Sequence, residues 1–412
     1  MNAVVAQCGG PTPVINATLA AVVAAWQGSP LGSGSLSAAA ERSAGRSAER
    51  AAGRIFGSRY GLQGLVLGDW AELTELDAAA LKQLALQPAA ALGGSRYRPS
   101  DEEFGQVVER LRVAQVGALF LIGGNGTMAA AQRIAEEASA RGLPLQVLGI
   151  PKTIDNDLWG CDATPGYGSA ARYLAHTTQE IGLDLRAMRG FDQVAVVEVM
   201  GRHVGWLAAA TALARKNEGD PPHLILLPET PVVLEEVLQR IAAVYAERQV
   251  CTAIVAEGVR GRDGVYWAEL VDGAAYDASG QRVFSMSAGA SAYLVQQVQE
   301  RLGLRCRQIK LNTAQRSTRL LASAVDRGLA ETVGTAAVDA WRQGASGVLP
   351  ALRKDRDGWR TELMAFEAVV GRERPLPQAY IDAAHYDVTH TCRQVIGDLV
   401  GELPPNPLLW IQ

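Results

Sequence analysis

The sequence has no CxxC pair, no basic block and no long apolar run, and each absence removes a class of protein. Its five cysteines (Cys8, Cys161, Cys251, Cys306 and Cys392) are odd in number and scattered, with no partner at metal-ligand spacing. Neither a zinc site nor a disulfide framework is indicated, so buried, reduced thiols are expected. Lysine and arginine total 39 against 43 aspartates and glutamates, a formal charge of −4, which gives no basic field for nucleic acid. An anionic ligand would have to be held by a few placed cations. No segment approaches the roughly 20 apolar residues that span a bilayer. The N-terminus enters an apolar strand pattern without the basic stretch of a signal peptide. A soluble, cytoplasmic protein with neither nucleic-acid nor membrane partners is expected.

What is present is an alternation of strand-like and helix-like segments. A length of 412 residues with 48% hydrophobic content suits two domains, or one large domain with insertions. Asn2–Gln7 is a short apolar run that breaks at Gly9-Gly10-Pro11 and leads into a helical pattern over Ile15–Trp26. Further apolar strands are predicted at Gly117–Ile122, Leu145–Ile150, Val194–Met200, Leu224–Leu227 and Cys251–Glu257, with helices over Met128–Arg141 and Val204–Arg215. Continuous apolar strands separated by helices predict an α/β fold with parallel sheets covered on both faces. Residues 28–57, rich in Ala, Ser, Gly and Arg, read as a low-complexity surface insertion without catalytic work. After about residue 350, charged stretches and proline-rich turns suggest a C-terminal appendage.

The glycines and carboxylates fall where an open parallel sheet binds ligands, beyond the carboxyl ends of its strands. Gly123-Gly124-Asn125-Gly126-Thr127 lies between a strand and a helix, so its amides can approach phosphate oxygens at a helix N-terminus. A tight strand-to-helix turn would look the same. Pro151-Lys152-Thr153-Ile154-Asp155-Asn156-Asp157 is more specific, with a lysine, a hydroxyl and two carboxylates in one loop. A phosphoryl acceptor needs a base, and a divalent cation neutralises donor oxygens. Asp155 and Asp157 would divide those tasks if the chain is extended at Asn156, with Lys152 neutralising the transferring group; both aspartates capping turns is the alternative. Met200-Gly201-Arg202 puts a cation at a strand end, and Glu257 could accept a sugar hydroxyl or cap a turn. Arg96 and Arg316 are further cations available to phosphates. His203 reads as a packing or surface residue, and Gly166-Tyr167 as a loop-to-helix entry.

These loops, in this order, resemble the phosphofructokinase family. The resemblance rests on GGPTPVINA, GGNGTM, PKTIDND, TPGYGSAARY, VEVMGRHVGW, PHLILLPE, VAEGV and AQRS, spanning Met1 to about Asp326. It implies two similar αβα domains with the site between them, and a homo-oligomer, dimer or tetramer, whose neighbouring subunit helps hold the sugar phosphate. Approximate boundaries are set near 1–155 for a donor-binding domain, 156–345 for a sugar-binding domain and 346–412 for an appendage packing back on the domains, with more than one crossing of the chain between domains allowed. The implied activity is Mg2+-dependent phosphorylation of fructose 6-phosphate on its C1 hydroxyl, a step of glycolysis. Asp155 is then the base, with Lys152 and Asp157 catalytic and Thr153 on the substrate. Met200, Gly201, Arg202, Glu257 and Arg316 bind the sugar phosphate. Gly10, Arg96, Gly124, Asn125, Gly126 and Thr127 face the donor, and Asn125 with Asp157 serves the metal.

Three departures from the family pattern stand out. Asn125 replaces the family's metal-associated aspartate, and Gln193 stands where a cation usually reaches the neighbour's sugar-phosphate site. The insertion at 28–57 has no counterpart. The donor signals conflict. Diphosphate users typically carry Asp at the position of Gly126, where a carboxylate occupies the space of the ATP α-phosphate. Glycine removes that volume and charge, while Lys152 is the residue that diphosphate users set against the transferring phosphate. The narrow preference is ATP, on Gly126; diphosphate is the alternative, on Lys152 and on an overall resemblance closest to the branch with bacterial diphosphate-dependent enzymes. Two further readings are a related kinase for another phosphosugar, a lipid or a dinucleotide, and a sugar-phosphate sensor, the latter motivated by Asn125 and Gln193.

Overall fold

The structure, a computed structural model, describes residues 1–29, 31, 53–272 and 288–403. Its principal strands in chain order are β1 (Asn2–Gln7), β2 (Ile55–Ser58), β3 (Trp70–Glu72), β4 (Val116–Gly123), β5 (Gln146–Pro151), β6 (Val194–Val199), β7 (Leu224–Leu226), β8 (Cys251–Ala256), β9 (Cys306–Lys310), β10 (Val348–Asp355) and β11 (Gly358–Ala365). The chain forms two compact units. One comprises Met1–Ser169 with Arg316–Arg374, the other Ala170–Gln315 with Pro375–Gln412. No described helix is long and apolar enough to cross a membrane.

The first unit carries a seven-stranded sheet in the order β11-β10-β5-β4-β1-β2-β3. Its inner strands run parallel, and β3 and β11 close the two edges in antiparallel pairs. β4, Val-Gly-Ala-Leu-Phe-Leu-Ile-Gly, is buried along its whole length, as a central strand covered on both faces must be. Each large apolar side chain buried there contributes about 1.5–3 kcal/mol. Helix Ile15–Trp26 is also buried on every side, and Trp26 packs at a tilt against Trp341 of helix Ala324–Arg342 with ring centroids 4.5 Å apart.

That contact explains where the chain departs from the expected boundaries at 155 and 345. Helix Ala324–Arg342 buries Leu329, Val333 and Ala337, and β10 buries Leu349, Ala351 and Leu352 while pairing with β5. Both return to the first unit because their apolar faces complete its core. The segment expected as one appendage is shared between the units, changing over after Arg374. The expected insertion at 28–57 lies largely outside the described residues. Its last three members, Ile55 to Gly57, instead form part of β2, paired in register with Ala3, Val4 and Val5.

The second unit has a four-stranded, wholly parallel sheet in the order β7-β8-β6-β9. β6 and β8 are fully buried, whereas β9 (Cys-Arg-Gln-Ile-Lys) is a polar edge strand. Helix Tyr167–Ala187 carries the chain from the first unit into the second.

Candidate active site

In the first unit, adjacent parallel strands β1, β4 and β5 end in step, with Gln7 beside Ile122 and Gly123 beside Pro151. Their three loops therefore leave the same sheet edge. The Lys152 N–H donates to Gly123 O at 3.0 Å, and the Lys152 ammonium donates to Gly10 O at 2.8 Å. Arg316 lies over the same glycine, since a Cβ on Gly10 would sit 3.1 Å from its Nη1. A β-carbon on Gly94 would stand 2.5 Å from Gly9 O, so the loop bearing the exposed Arg96 packs directly against the first glycine turn. Beneath these loops is a buried amide network that sequence reasoning missed. Gln7 Nε2 donates to Asn16 Oδ1 at 2.8 Å, and the two side chains accept from Leu92 N and Ala91 N.

Helix Asn125–Ala140 starts at Asn125, with Gly124 before it providing no side-chain cap. Thr127 N–H turns back to Gly124 O at 2.9 Å, so the amides that precede it are the ones this helix start can offer to a phosphate. Gly126 is exposed, and a β-carbon there would meet nothing within 4 Å.

The 151–157 loop differs from expectation at one residue. Asn156 is not extended but left-handed, with φ 57°, a conformation Asn adopts more readily than most residues. Its Oδ1 accepts from Thr164 N at 3.0 Å, which folds the loop back on itself. The turn separates the environments of the two carboxylates. Asp155 is half-buried, and its N–H donates to Thr153 Oγ1 at 3.1 Å. Asp157 accepts from Asn125 Nδ2 at 2.9 Å. Burial raises its carboxyl above the ordinary value, Glu373 adds to the rise, and hydrogen bonds from Thr153 and Asn125 oppose it.

Lys152 is the most perturbed cation of this cluster. Burial lowers it to about 8, with Asp155 and Asp157 holding its proton and Arg316 repelling it. Cys8 sits beside it, and burial pushes that thiol up to about 12, so it is no nucleophile. All five cysteines are free, in keeping with the absence of a disulfide framework.

Two oxygens here remain for a cation. Asn125 Oδ1 and Asp157 Oδ1 are buried and, among the described residues, have no hydrogen-bond partner. One carboxylate and one amide oxygen, on side chains already in contact through Nδ2 and Oδ2, fit a hard divalent ion such as Mg2+, which takes few protein ligands and keeps several waters. No cluster of three or more His, Cys, Asp or Glu side chains suited to a metal occurs among the described residues.

The second unit places its chemistry at the carboxyl ends of β6 and β8. Gly258 packs on the Met200-Gly201-Arg202 loop so closely that a β-carbon would fall 1.7 Å from Arg202 O, which only glycine permits. Met200 N is held by Gln315 Oε1 at 3.3 Å. Glu257 N–H donates to Val199 O at 2.9 Å. Burial pushes the Glu257 carboxyl up to about 7, with Arg202 opposing the rise.

The residues expected to bind the sugar phosphate fall in both units. Met200, Gly201, Arg202 and Glu257 lie in the second unit, while Arg316 belongs to the first, beside Gly10 and Lys152. His203 is exposed. Gln193 has both ends of its amide engaged, with Tyr245 OH and the Arg305 N–H, and braces the start of β6. Gly166 and Ser169 hang on a residue with no motif to announce it. The buried Asp326 accepts from Gly166 N at 2.9 Å, Ser169 N at 3.0 Å and Ser169 Oγ at 2.6 Å. A cavity of about 250 Å³ lined by Arg186, His223 and Arg248 opens at the other edge of the second sheet, away from these loops.

The phosphofructokinase family matches residues 33–341, three quarters of the chain. The chain belongs to that family. It is accordingly an enzyme of the phosphotransferase class. It is 32% identical to a pyrophosphate–fructose 6-phosphate 1-phosphotransferase of Halomonas elongata, over 98% of this chain and 93% of that protein. It is 32% identical to a sulfofructose kinase of Alkalicoccus urumqiensis, over 93% of this chain and 92% of that protein. The crystal structure of a pyrophosphate-dependent phosphofructokinase from Nitrosospira multiformis superposes with a TM-score of 0.83 and 29% identity, covering 99% of this chain and 94% of that one. The similarity of this phosphofructokinase-family chain to proteins named for pyrophosphate therefore runs along nearly its whole length.

Proposed function

We propose that this chain transfers a phosphoryl group from diphosphate to the C1 hydroxyl of fructose 6-phosphate, giving fructose 1,6-bisphosphate and phosphate. The observation that carries the donor is the end-to-end similarity to proteins named for pyrophosphate, joined to a buried lysine at the glycine loops. The sequence preference for ATP gives way here, because open space at Gly126 admits a larger donor without supplying any attraction for it.

In this reading Asp155 removes the proton of the C1 hydroxyl as its oxygen attacks phosphorus, and the bond from phosphorus to the bridging oxygen breaks. Lys152 and Arg316 hold and neutralise the transferring phosphoryl group, and the loop of Gly124 to Thr127, with Arg96 and Gly10, holds the phosphate that leaves. Thr153 orients Asp155. Met200, Gly201, Arg202 and Glu257 bind the sugar. Mg2+, when bound by Asn125 and Asp157, would neutralise donor oxygens.

The test is a coupled assay with Mg2+ and fructose 6-phosphate, offering diphosphate and ATP separately, repeated with sulfofructose as acceptor. Turnover with diphosphate and fructose 6-phosphate is expected. Turnover with ATP alone would establish the second reading, which the empty space around Gly126 favours. Gly126→Asp would then suppress it through bulk and like charge.

A further inference from the structure

An ion pair between the buried Glu198 and the partly buried Lys310 lies in the strands beside Glu257, and neither the fold nor the proposed chemistry uses it. Glu198, buried in β6, pairs in register with Lys310 of β9 on one side and Val255 of β8 on the other. Strand side chains alternate between faces, so Glu257, two residues beyond Val255 and still bonded to Val199 O, lies on the same sheet face as Glu198 and Lys310. Lys310 Nζ is 3.0 Å from Glu198 Oε1. Ser291 donates to Glu198 Oε2 from its backbone N–H at 2.9 Å and its hydroxyl at 2.7 Å. Both carboxylate oxygens of Glu198 are thus engaged.

A pair with one buried partner is a weak source of stability, because desolvation of the carboxylate offsets the attraction. Its place in the strand beside the sugar loops gives it another use. The charged groups acting on Glu257 come from three elements: Arg202 in the loop after β6, Glu198 within β6 and Lys310 in β9. Arg202 and Lys310 favour the carboxylate, while burial and Glu198 oppose it.

We propose that Lys310 and Glu198 act together as a positioning pair for Glu257, keeping its carboxylate ready to accept a sugar hydroxyl. The proposal rests on reading the second unit's loops as the sugar site. Without Lys310, Glu257 faces the bare charge of Glu198. Without both, the balance returns.

The experiment is calorimetric titration with fructose 6-phosphate across about pH 6 to 9, using wild type and the variants Lys310→Met, Lys310→Arg, Glu198→Gln and Lys310→Met/Glu198→Gln. Wild-type affinity should rise as pH passes through about 7, with that limb missing in Glu257→Gln. In Lys310→Met the limb should move up by about one pH unit. Lys310→Arg should hold it near its wild-type place, and the double variant should return it there. Glu198→Gln should move it down, an independent measurement should Lys310→Met fail to fold. A limb unmoved by either single change, or a double variant displaced as far as Lys310→Met, would overturn the proposal. Wild-type protein that binds no fructose 6-phosphate at any pH would remove the acceptor reading itself, and this inference with it.

Discussion

The two units prepare opposite charges by the same means. In the first, burial takes water from a cation and brings Lys152 down to about 8. In the second, burial takes water from an anion and brings Glu257 up to about 7. Desolvation penalises charge of either sign, so both groups are drawn toward neutrality from opposite ends of the scale. Each is partly compensated, the lysine by its bond to Gly10 O and the glutamate by the charge of Arg202 and a hydrogen bond from the Gly201 backbone. The difference lies in what completes them. Lys152 awaits an anion, as a phosphate donor supplies, whereas Glu257 awaits a hydrogen-bond donor, as a sugar hydroxyl supplies.

The sharpest way to break this comparison is to remove the base, which belongs to chemistry and not to either binding set. Asp155→Asn should lower kcat by about 10²–10⁴-fold, with affinity for both substrates nearly unchanged in steady-state and binding measurements. Near-normal turnover would take Asp155 out of the mechanism.

Next in size is Lys152→Met, for which kcat/KM toward the phosphoryl donor should fall by about 10²–10³-fold. The same change should raise the melting temperature at neutral pH. A lysine whose folded value lies near 8, below its ordinary 10.5, binds fewer protons folded than unfolded across that window, so wild-type stability rises with pH between those values. Below about 8 both states are protonated and the desolvation cost is carried in full. Donor kcat/KM of the wild type should accordingly decline as pH passes above about 8, and a flat profile would disconnect Lys152 from the donor.

Legibility in the sequence followed apolarity. β1 and helix Ile15–Trp26 are found with the bounds their residues predict, and the strand ends at Gly123, Pro151 and Ala256 lie within a residue of expectation. Buried parallel strands are continuous apolar runs, and those announce themselves. β9 and β11 do not, because an edge strand shares its polar pattern with a loop. The loops of the site were legible as motifs, but the assignment of Arg316 to the glycine side was not. Chain order sets Gln315 and Arg316 together, while the packing of helix Ala324–Arg342 draws the second of them into the first unit. Asp326 and the Gln7–Asn16 pair escaped for a different reason: they bond to backbone groups, which leave no trace in residue types.

The smallest expected effect bears on the first unit's cation oxygens. In Asn125→Asp, the Nδ2 that donates to Asp157 Oδ2 at 2.9 Å becomes a second carboxylate oxygen. Without metal, two like charges would face each other in a buried place, raising Asp157 further and lowering the melting temperature. With Mg2+ present the same oxygens become a stronger site, since a full charge replaces an amide dipole. The variant should therefore lose stability in chelator, regain it on adding Mg2+, and reach half-maximal activity at a several-fold lower Mg2+ concentration, an effect on the order of 1 kcal/mol. Melting curves with and without Mg2+ decide it. If added Mg2+ leaves the melting temperature of Asn125→Asp unmoved, the two orphaned oxygens are not where the ion binds.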